Sequence, residues 1–337
     1  MRVAVVDIGT NSTRLLIADV DPSTGAVVEL VRRSTVTRLG HGVDATGKLS
    51  QDAMQRVFNT LDSYHADIDQ QGATANLAVL TSAVRDAANG PQFAQHVRRH
   101  YHLDARVLAG EEEAQLTFLG ATSSGVDQGD GDGGDGDNGD DDGGDRQPAA
   151  LSEPHAAPQP TVVIDIGGGS TEFVVGRGRH AGFHVSLAAG VVRMSERHIH
   201  SDPPAPRELH ELALDVRRVL LDGLPPDERA PVTQGIAVAG TATSAAAIDQ
   251  ELDPYDSTRV HGYQLHLSTV ELLLARLADM DEAQRRQVVG LHPDRAPTIV
   301  AGMILLHEAM LAFELSHVTV SEHDILYGGA LQLARRR

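Results

Sequence analysis

The chain opens on an unbroken apolar run, Val3 to Val6, that predicts a buried strand, and a second run follows from Leu15 to Val20 after a short polar turn. Asp21-Pro-Ser-Thr-Gly25 supplies turn chemistry before a third strand around Ala26 to Val31. Past residue 50 the period becomes helical: Val57, Leu61, Tyr64 and Ile68 share one face, Ser50 is placed to cap the start, and Gly72 lies beyond the end. A strand at Leu77 to Leu80, a helix around Phe93 to His100, a strand at Ala105 to Leu108 and a helix from Glu111 complete an α/β alternation of ordinary domain size.

At Val162 the plan starts again. Asp165-Ile-Gly-Gly-Gly-Ser-Thr171 overlays Asp7-Ile-Gly-Thr-Asn-Ser-Thr13 at a constant offset of 158, each preceded by an apolar strand and followed by an alternating one. Two copies of strand, Asp-x-Gly turn and strand predict two similar lobes facing each other across a cleft, with a ligand touching both turns. A glycine-rich turn lets backbone N–H groups approach phosphate oxygens, and an aspartate at the strand end suits a hydrated Mg2+, which uses one or two carboxylates plus substrate phosphates. A single such turn would be read as a tight hairpin; the matched pair is what favours a site.

Composition sharpens this reading. The 337 residues carry 28 basic and 47 acidic side chains, a formal charge of -19, but residues 125–145 alone hold nine Asp and nine Gly, and the rest of the chain stands at -10. The expected organisation is a first lobe at 1–122, a disordered acidic linker at 123–160 and a second lobe at 161–337, whose last helix could reach across to the first. An acidic chain whose basic residues are Arg apart from Lys48 does not build a platform for a nucleic-acid polymer, although a few Arg can form a compact phosphate site. The absence of Cys excludes disulfides, thiolate zinc sites and a Cys nucleophile. The start is too short for a signal-peptide core, and the longest apolar run, Ile299 to Phe313, is interrupted by His307 and Glu308, so a cytoplasmic protein without a membrane span is expected.

Five segments, Asp7 to Leu15, Thr81-Ser-Ala-Val-Arg-Asp-Ala87, Gly110-Glu-Glu-Glu-Ala114, Asp165 to Glu172 and Gly240-Thr-Ala-Thr243, together resemble the exopolyphosphatase and guanosine pentaphosphate phosphohydrolase (Ppx/GppA) family, over essentially the whole chain outside the linker. The resemblance implies the duplicated, ribonuclease H-like fold of the actin-type ATPases. It also implies Mg2+-dependent release of the terminal phosphate from polyphosphate or guanosine pentaphosphate. Carried over residue by residue, it makes Glu113 the catalytic base that orients or deprotonates water, Arg85 a phosphate clamp, and Arg14 a weaker clamp whose alternative is an exposed strand arginine. Asn11, Ser12, Gly167, Gly168, Gly169 and Ser170 would donate to the phosphoryl group, Asp165, Glu172 and Asp7 would hold metal or water, and Gly240 with Thr241 would form a later binding turn. Helix capping is an equal account of Thr241, and a favourable partner for the helix dipole is an equal account of any one of Glu111, Glu112 and Glu113. A homodimer is a further option.

Other features are discounted. His96, His100, His102, His198 and His200 lack an acidic cluster at ligand spacing, and His323-Asp324 lacks the distant partners of an HD metal dyad; it is expected to mark the loop before the last helix. The spacing of the aspartates in 125–145 could collect cations, but no closing glutamate follows. Ser321 to Gly328 departs from the family's Gly-Leu-Arg-Glu-Gly type sequence, and the C-terminal helical HD-like domain that the family often carries is not expected within residues 1–337. The alternatives are a non-catalytic alarmone or polyphosphate sensor and an ATP-dependent kinase of the same superfamily.

Overall fold

A computed structural model describes residues 1–123, 159–178 and 180–335. The acidic Asp/Gly segment and its predicted disorder lie outside the described residues. The first lobe is a five-stranded sheet of β1 (Arg2–Ile8), β2 (Ser12–Val20), β3 (Val27–Val36), β4 (Ala75–Leu80) and β5 (Ala105–Val107) in the order β3-β2-β1-β4-β5. β1 is antiparallel to β2 and parallel to β4, and it is covered on both faces, which is why its apolar run is uninterrupted. Ala4, Val6 and Ile8 meet Val57, Leu61 and Tyr64 of the helix Gln51–Gln71. Ser50 caps that helix by accepting the Ala53 N–H at 3.2 Å, and Gly72 ends it with φ 66°. On the other face Val3 and Val5 meet Leu326, Ala330 and Leu331 of the last helix, Ile325–Arg335, so the end of the chain completes the first lobe.

The second sheet repeats the first and adds one edge strand: β6 (Pro160–Ile166), β7 (Thr171–Arg177), β8 (His180–Leu187), β9 (Gln234–Val238), β10 (Gln264–His266) and β11 (His317–Val320), in the order β10-β11-β9-β6-β7-β8. Registers agree at the offset read from the sequence. Asp7 pairs with Arg14 across β1 and β2, and Asp165 pairs with Glu172 across β6 and β7. Both turns close with the same bond, Gly9 N–H to Ser12 O and Gly167 N–H to Ser170 O, each 3.0 Å. The two sheets are therefore duplicated copies of one plan, as the repeat in the sequence predicts. The largest core lies in the second lobe, around the helix Ile299–Ala312, where Glu308 is buried and bonded to Arg217 at 2.8 and 3.0 Å. No helix among the described residues is long and apolar enough to cross a membrane.

β3 runs five residues beyond its sequence-expected end at Val31. Arg32, Arg33 and Ser34 extend it as a half-solvated edge strand, held by β2 through backbone pairing rather than by burial.

Candidate active site

Backbone placement alone brings the two turns together. Gly168 and Gly169 of the second turn abut the first lobe so closely that a Cβ at Gly168 would lie 2.9 Å from the Asn11 nitrogen, and one at Gly169 would lie 2.7 Å from Ser82 Oγ. The glycines are therefore required by the approach of one lobe to the other as well as by any ligand. Thr10 Oγ1 and Ser82 Oγ bond at 2.8 Å, and Thr10 Oγ1 also accepts the Ala83 N–H at 3.2 Å, tying the first turn to the short helix Ser82–Asp86 that carries Arg85.

Between the turns lies a cavity of about 90 Å³, room for several water-sized groups or one phosphoryl group with its water. Every residue to which the family resemblance gives a role lines it except Arg85 and Gly169. Arg85 reaches its edge through Glu113: Nη1 donates to Glu113 Oε2 at 3.0 Å and to the Leu108 carbonyl at 3.0 Å.

The three adjacent glutamates at the start of the helix Gly110–Ala121 separate cleanly by environment. Glu111 is exposed, and Glu112 accepts the Ala109 N–H at 3.1 Å, serving the helix end. Glu113 is 7% exposed and faces the cavity. Burial, then the charge of Glu172, push its carboxyl well above the ordinary range, against the opposing pull of Arg85.

The duplicated registers make the two lobes electrostatically unequal. In the first, Asp7 faces Arg14, whose Nε and Nη2 donate to Asp7 Oδ2 at 2.9 and 2.6 Å. At the equivalent place in the second, Asp165 faces Glu172, two buried carboxylates directly opposed. Burial and then Glu172 push Asp165 up to about 8. Burial also raises Glu172, against hydrogen bonds from Ser170 and from Ser186, the latter at 2.7 Å. Thr117 Oγ1 approaches Asp165 Oδ2 at 3.4 Å from the first lobe. Asp165 and Glu172 thus form a hard oxygen pair short of positive charge, the donor chemistry that suits Mg2+. Asp7 differs, because its carboxylate is committed to Arg14, and the metal role expected for it would require that pair to part.

Arg14 is not an exposed strand arginine. Its Nη1 also donates to Asp324, so it lies between two carboxylates at the cavity wall. Thr241 is buried inside the helix Ala239–Asp249 rather than capping it, and Ala239 begins that helix with φ 63° at the cavity edge. Two further residues face the cleft, one without a sequence signal and one that the sequence placed only as the loop before the last helix. Arg295 faces the cavity with a guanidinium that makes no hydrogen bond or salt bridge among the described residues; burial and then the charge of Arg14 lower its pKa, and a Cβ at Gly240 would run into that guanidinium. Asp324, in the loop immediately before the last helix as expected, lines the outer chamber and contacts Arg14. No group of three His, Asp or Glu residues at metal-holding distance occurs among the described residues. His198 bonds Asp215 at 3.0 Å, and His96 packs on Phe58.

Beyond Arg14, Gly240 and Arg295 the cavity opens into an outer chamber of about 770 Å³. Its arginines are mostly paired at home: Arg32 with Glu29 at 3.0 Å and Glu322 at 2.9 Å, Arg33 with Asp67 at 2.7 Å, Arg286 with Glu282 at 2.6 Å. Tyr255, half exposed, forms part of the wall.

Similarity to known proteins agrees with this geometry. The chain is 34% identical to Exopolyphosphatase 2 of Mycobacterium tuberculosis, over 99% of this chain and 98% of that protein. The crystal structure of an exopolyphosphatase-like protein superposes with a TM-score of 0.85 at 29% identity, covering 99% of this chain and 98% of that one. That of the Aquifex aeolicus Ppx/GppA member gives 0.76 at 26% identity, covering 100% and 98%. The sequence profile of the Ppx/GppA phosphatase family matches residues 16–131 and 149–332, and the chain belongs to that family.

Proposed function

We propose that the protein hydrolyses the terminal phosphoanhydride of a linear phosphate chain, inorganic polyphosphate or the 5' end of guanosine pentaphosphate. The observation that carries this reading is the buried Glu113–Arg85 pair at the rim of a cavity walled by two phosphate-type turns. Glu113, held by Arg85, accepts a proton from the attacking water, and its raised pKa makes it a stronger base than a solvated carboxylate once ionised. Amides of the turns at Asn11 and Gly168, with Ser12 and Ser170, orient the terminal phosphoryl oxygens, while Arg295, unpaired and facing the cavity, supplies charge to the bridging or leaving phosphate. Asp165 and Glu172 would hold Mg2+, which when bound offsets the charge of the phosphate chain.

A nucleotide substrate is favoured by one feature, the outer chamber, whose volume and Tyr255 wall suit a nucleoside and whose self-paired arginines offer a long polyanion little net attraction. Phosphate release from short polyphosphate, long polyphosphate and guanosine pentaphosphate, measured with Mg2+ in wild type and Glu113→Gln, tests both statements. The variant should lose at least about 10²-fold in kcat on every substrate. Equal rates in the two proteins would remove Glu113 from its role, and binding without turnover in wild type would instead mark a sensor.

A further inference from the structure

Of the arginines at the cleft, the Arg295 guanidinium is unpaired among the described residues, Arg85 is matched by Glu113, and Arg14 is matched twice. The second partner of Arg14 comes from an unexpected place. Asp324 stands where the chain leaves β11 in the second lobe and begins the last helix, which packs into the first lobe. Its side chain is almost completely buried and divides its oxygens between two tasks. Oδ1 accepts the Leu326 N–H at 3.0 Å, capping the helix, and Oδ2 accepts from Arg14 Nη1.

The backbone of Asp324 cannot drift away from this pose. Its carbonyl accepts the Gly328 N–H at 3.0 Å and lies so close to Gly120 that no Cβ fits there. Asp324 is therefore held by the last helix on one side and by the helix carrying Glu113 on the other, with its carboxylate aimed at Arg14. Three of the five N–H groups of Arg14 are spent on carboxylates, and its single positive charge is shared by two negative ones. The remaining donors can still orient a phosphoryl oxygen, but the long-range attraction that draws an anion inward is largely cancelled.

We propose that Asp324 is a specificity-determining residue: by holding Arg14 together with Asp7, it withholds the charge of that arginine from substrate and weakens the cleft for phosphate anions that arrive without a bound cation. The proposal rests on the phosphate-chain reading above. It makes Arg14 an orienting group, leaves Arg295 as the principal electrostatic attractor, and makes a cation carried with the substrate the main relief of the acidic wall formed by Asp165 and Glu172.

The test is the binding of tripolyphosphate to the full chain in EDTA, by calorimetry at low and high KCl, for wild type, Asp324→Asn, Arg14→Gln and the double variant. Asn keeps a capping oxygen, and Asp324→Ser is a second variant that also keeps one, so both should fold, with a melting temperature lowered by the lost ion pair to Arg14. Asp324→Asn should tighten Kd by about five- to tenfold at low salt, with the gain shrinking as KCl rises, because the attraction of the cleft for an approaching polyanion is screened over the Debye length. In the Arg14→Gln background the same substitution should give no gain. A folded Asp324→Asn or Asp324→Ser protein with wild-type Kd would overturn the proposal, and so would a gain that persists without Arg14, since Asp324 would then act by direct repulsion. Failure of folded wild type and Asp324→Asn alike to bind tripolyphosphate would instead defeat the phosphate-chain reading on which it stands.

Discussion

Glu113 and Arg85 act as one unit, since each sets the other's charge environment at 3.0 Å. A base whose carboxyl is raised by burial is protonated, and idle, over a wider acid range than a solvated glutamate. The acid limb of kcat/KM should accordingly fall above the usual carboxylate region. Arg85 is the group that opposes the rise, so Arg85→Gln should move that limb to still higher pH as well as lowering the rate. A pH profile of both proteins decides this, and coincident limbs would show that Glu113 does not titrate in the rate-limiting step. Asp165 carries the opposite lesson for stability. Burial pushes it up to about 8, above the ordinary aspartate value of 3.8, so the group contributes most below pH ~4, and the contribution is lost as pH rises through about 8. Asp165→Asn removes the like-charge burial against Glu172. In EDTA it should raise unfolding stability at pH 8 to 9 by on the order of a few kcal/mol, with little gain near pH 4, as denaturant titrations would read.

At the scale of elements, what was legible in the sequence was what burial and turn chemistry dictate locally. β1 and β6 read as strands because both faces are covered, and the helix Gln51–Gln71 read to within a residue of its cap and terminal glycine. β3 was cut short because its last half is held by pairing rather than by apolar contact. The glutamate triplet was ambiguous in sequence because all three occupy the first turn of one helix; only packing distinguishes the capping Glu112 from the buried Glu113. Arg295 was invisible for a similar reason, and Asp324 was legible only as the loop before the last helix, since each becomes a cleft residue through contacts made far along the chain. The glycines read as phosphate ligands turn out to be spacers between lobes as well, and this gives a prediction. Gly169 has no left-handed φ, so Gly169→Ala should leave each lobe folded with a nearly unchanged melting temperature. Its methyl would still meet Ser82 Oγ and Thr10 Oγ1, displace the turn from the cavity and cost about 10²-fold in kcat/KM. Ser82→Ala in the same chain should recover part of that loss, an outcome that a purely local defect in the turn would not allow.

For the whole molecule, the charge of -19 is less informative than its distribution. Nine of the acids fall in residues 125–145, outside the described residues, and what the described part shows is an acidic cavity whose positive groups are largely matched by the chain's own carboxylates. The lobes that enclose it are tied on one side by a single network. Arg193, on the short helix Val191–His198 of the second lobe, donates from Nε to the Gly169 carbonyl at 2.8 Å and from Nη2 to Asp86 at 2.8 Å, and it also pairs with Asp44. Arg197 adds a bond to Asp44 at 2.6 Å, and Glu196 accepts the Gly42 N–H at 3.1 Å. One arginine therefore touches the second glycine-rich turn, the neighbour of Arg85 and the loop wall of the first lobe together, so it couples the separation of the lobes to the position of the turn. Opening the cleft would break these pairs while leaving each hydrophobic core intact. Arg193→Ala should consequently enlarge the radius of gyration in solution scattering and raise KM more than it lowers kcat, with a melting temperature close to wild type because partly exposed ion pairs contribute only about 1 kcal/mol each. High salt should move wild type towards the same behaviour, since the network is solvent-accessible on its outer side. A variant with wild-type dimensions and unchanged KM would show that the lobes are held by the turn-to-turn contact at Gly168 and Gly169 alone.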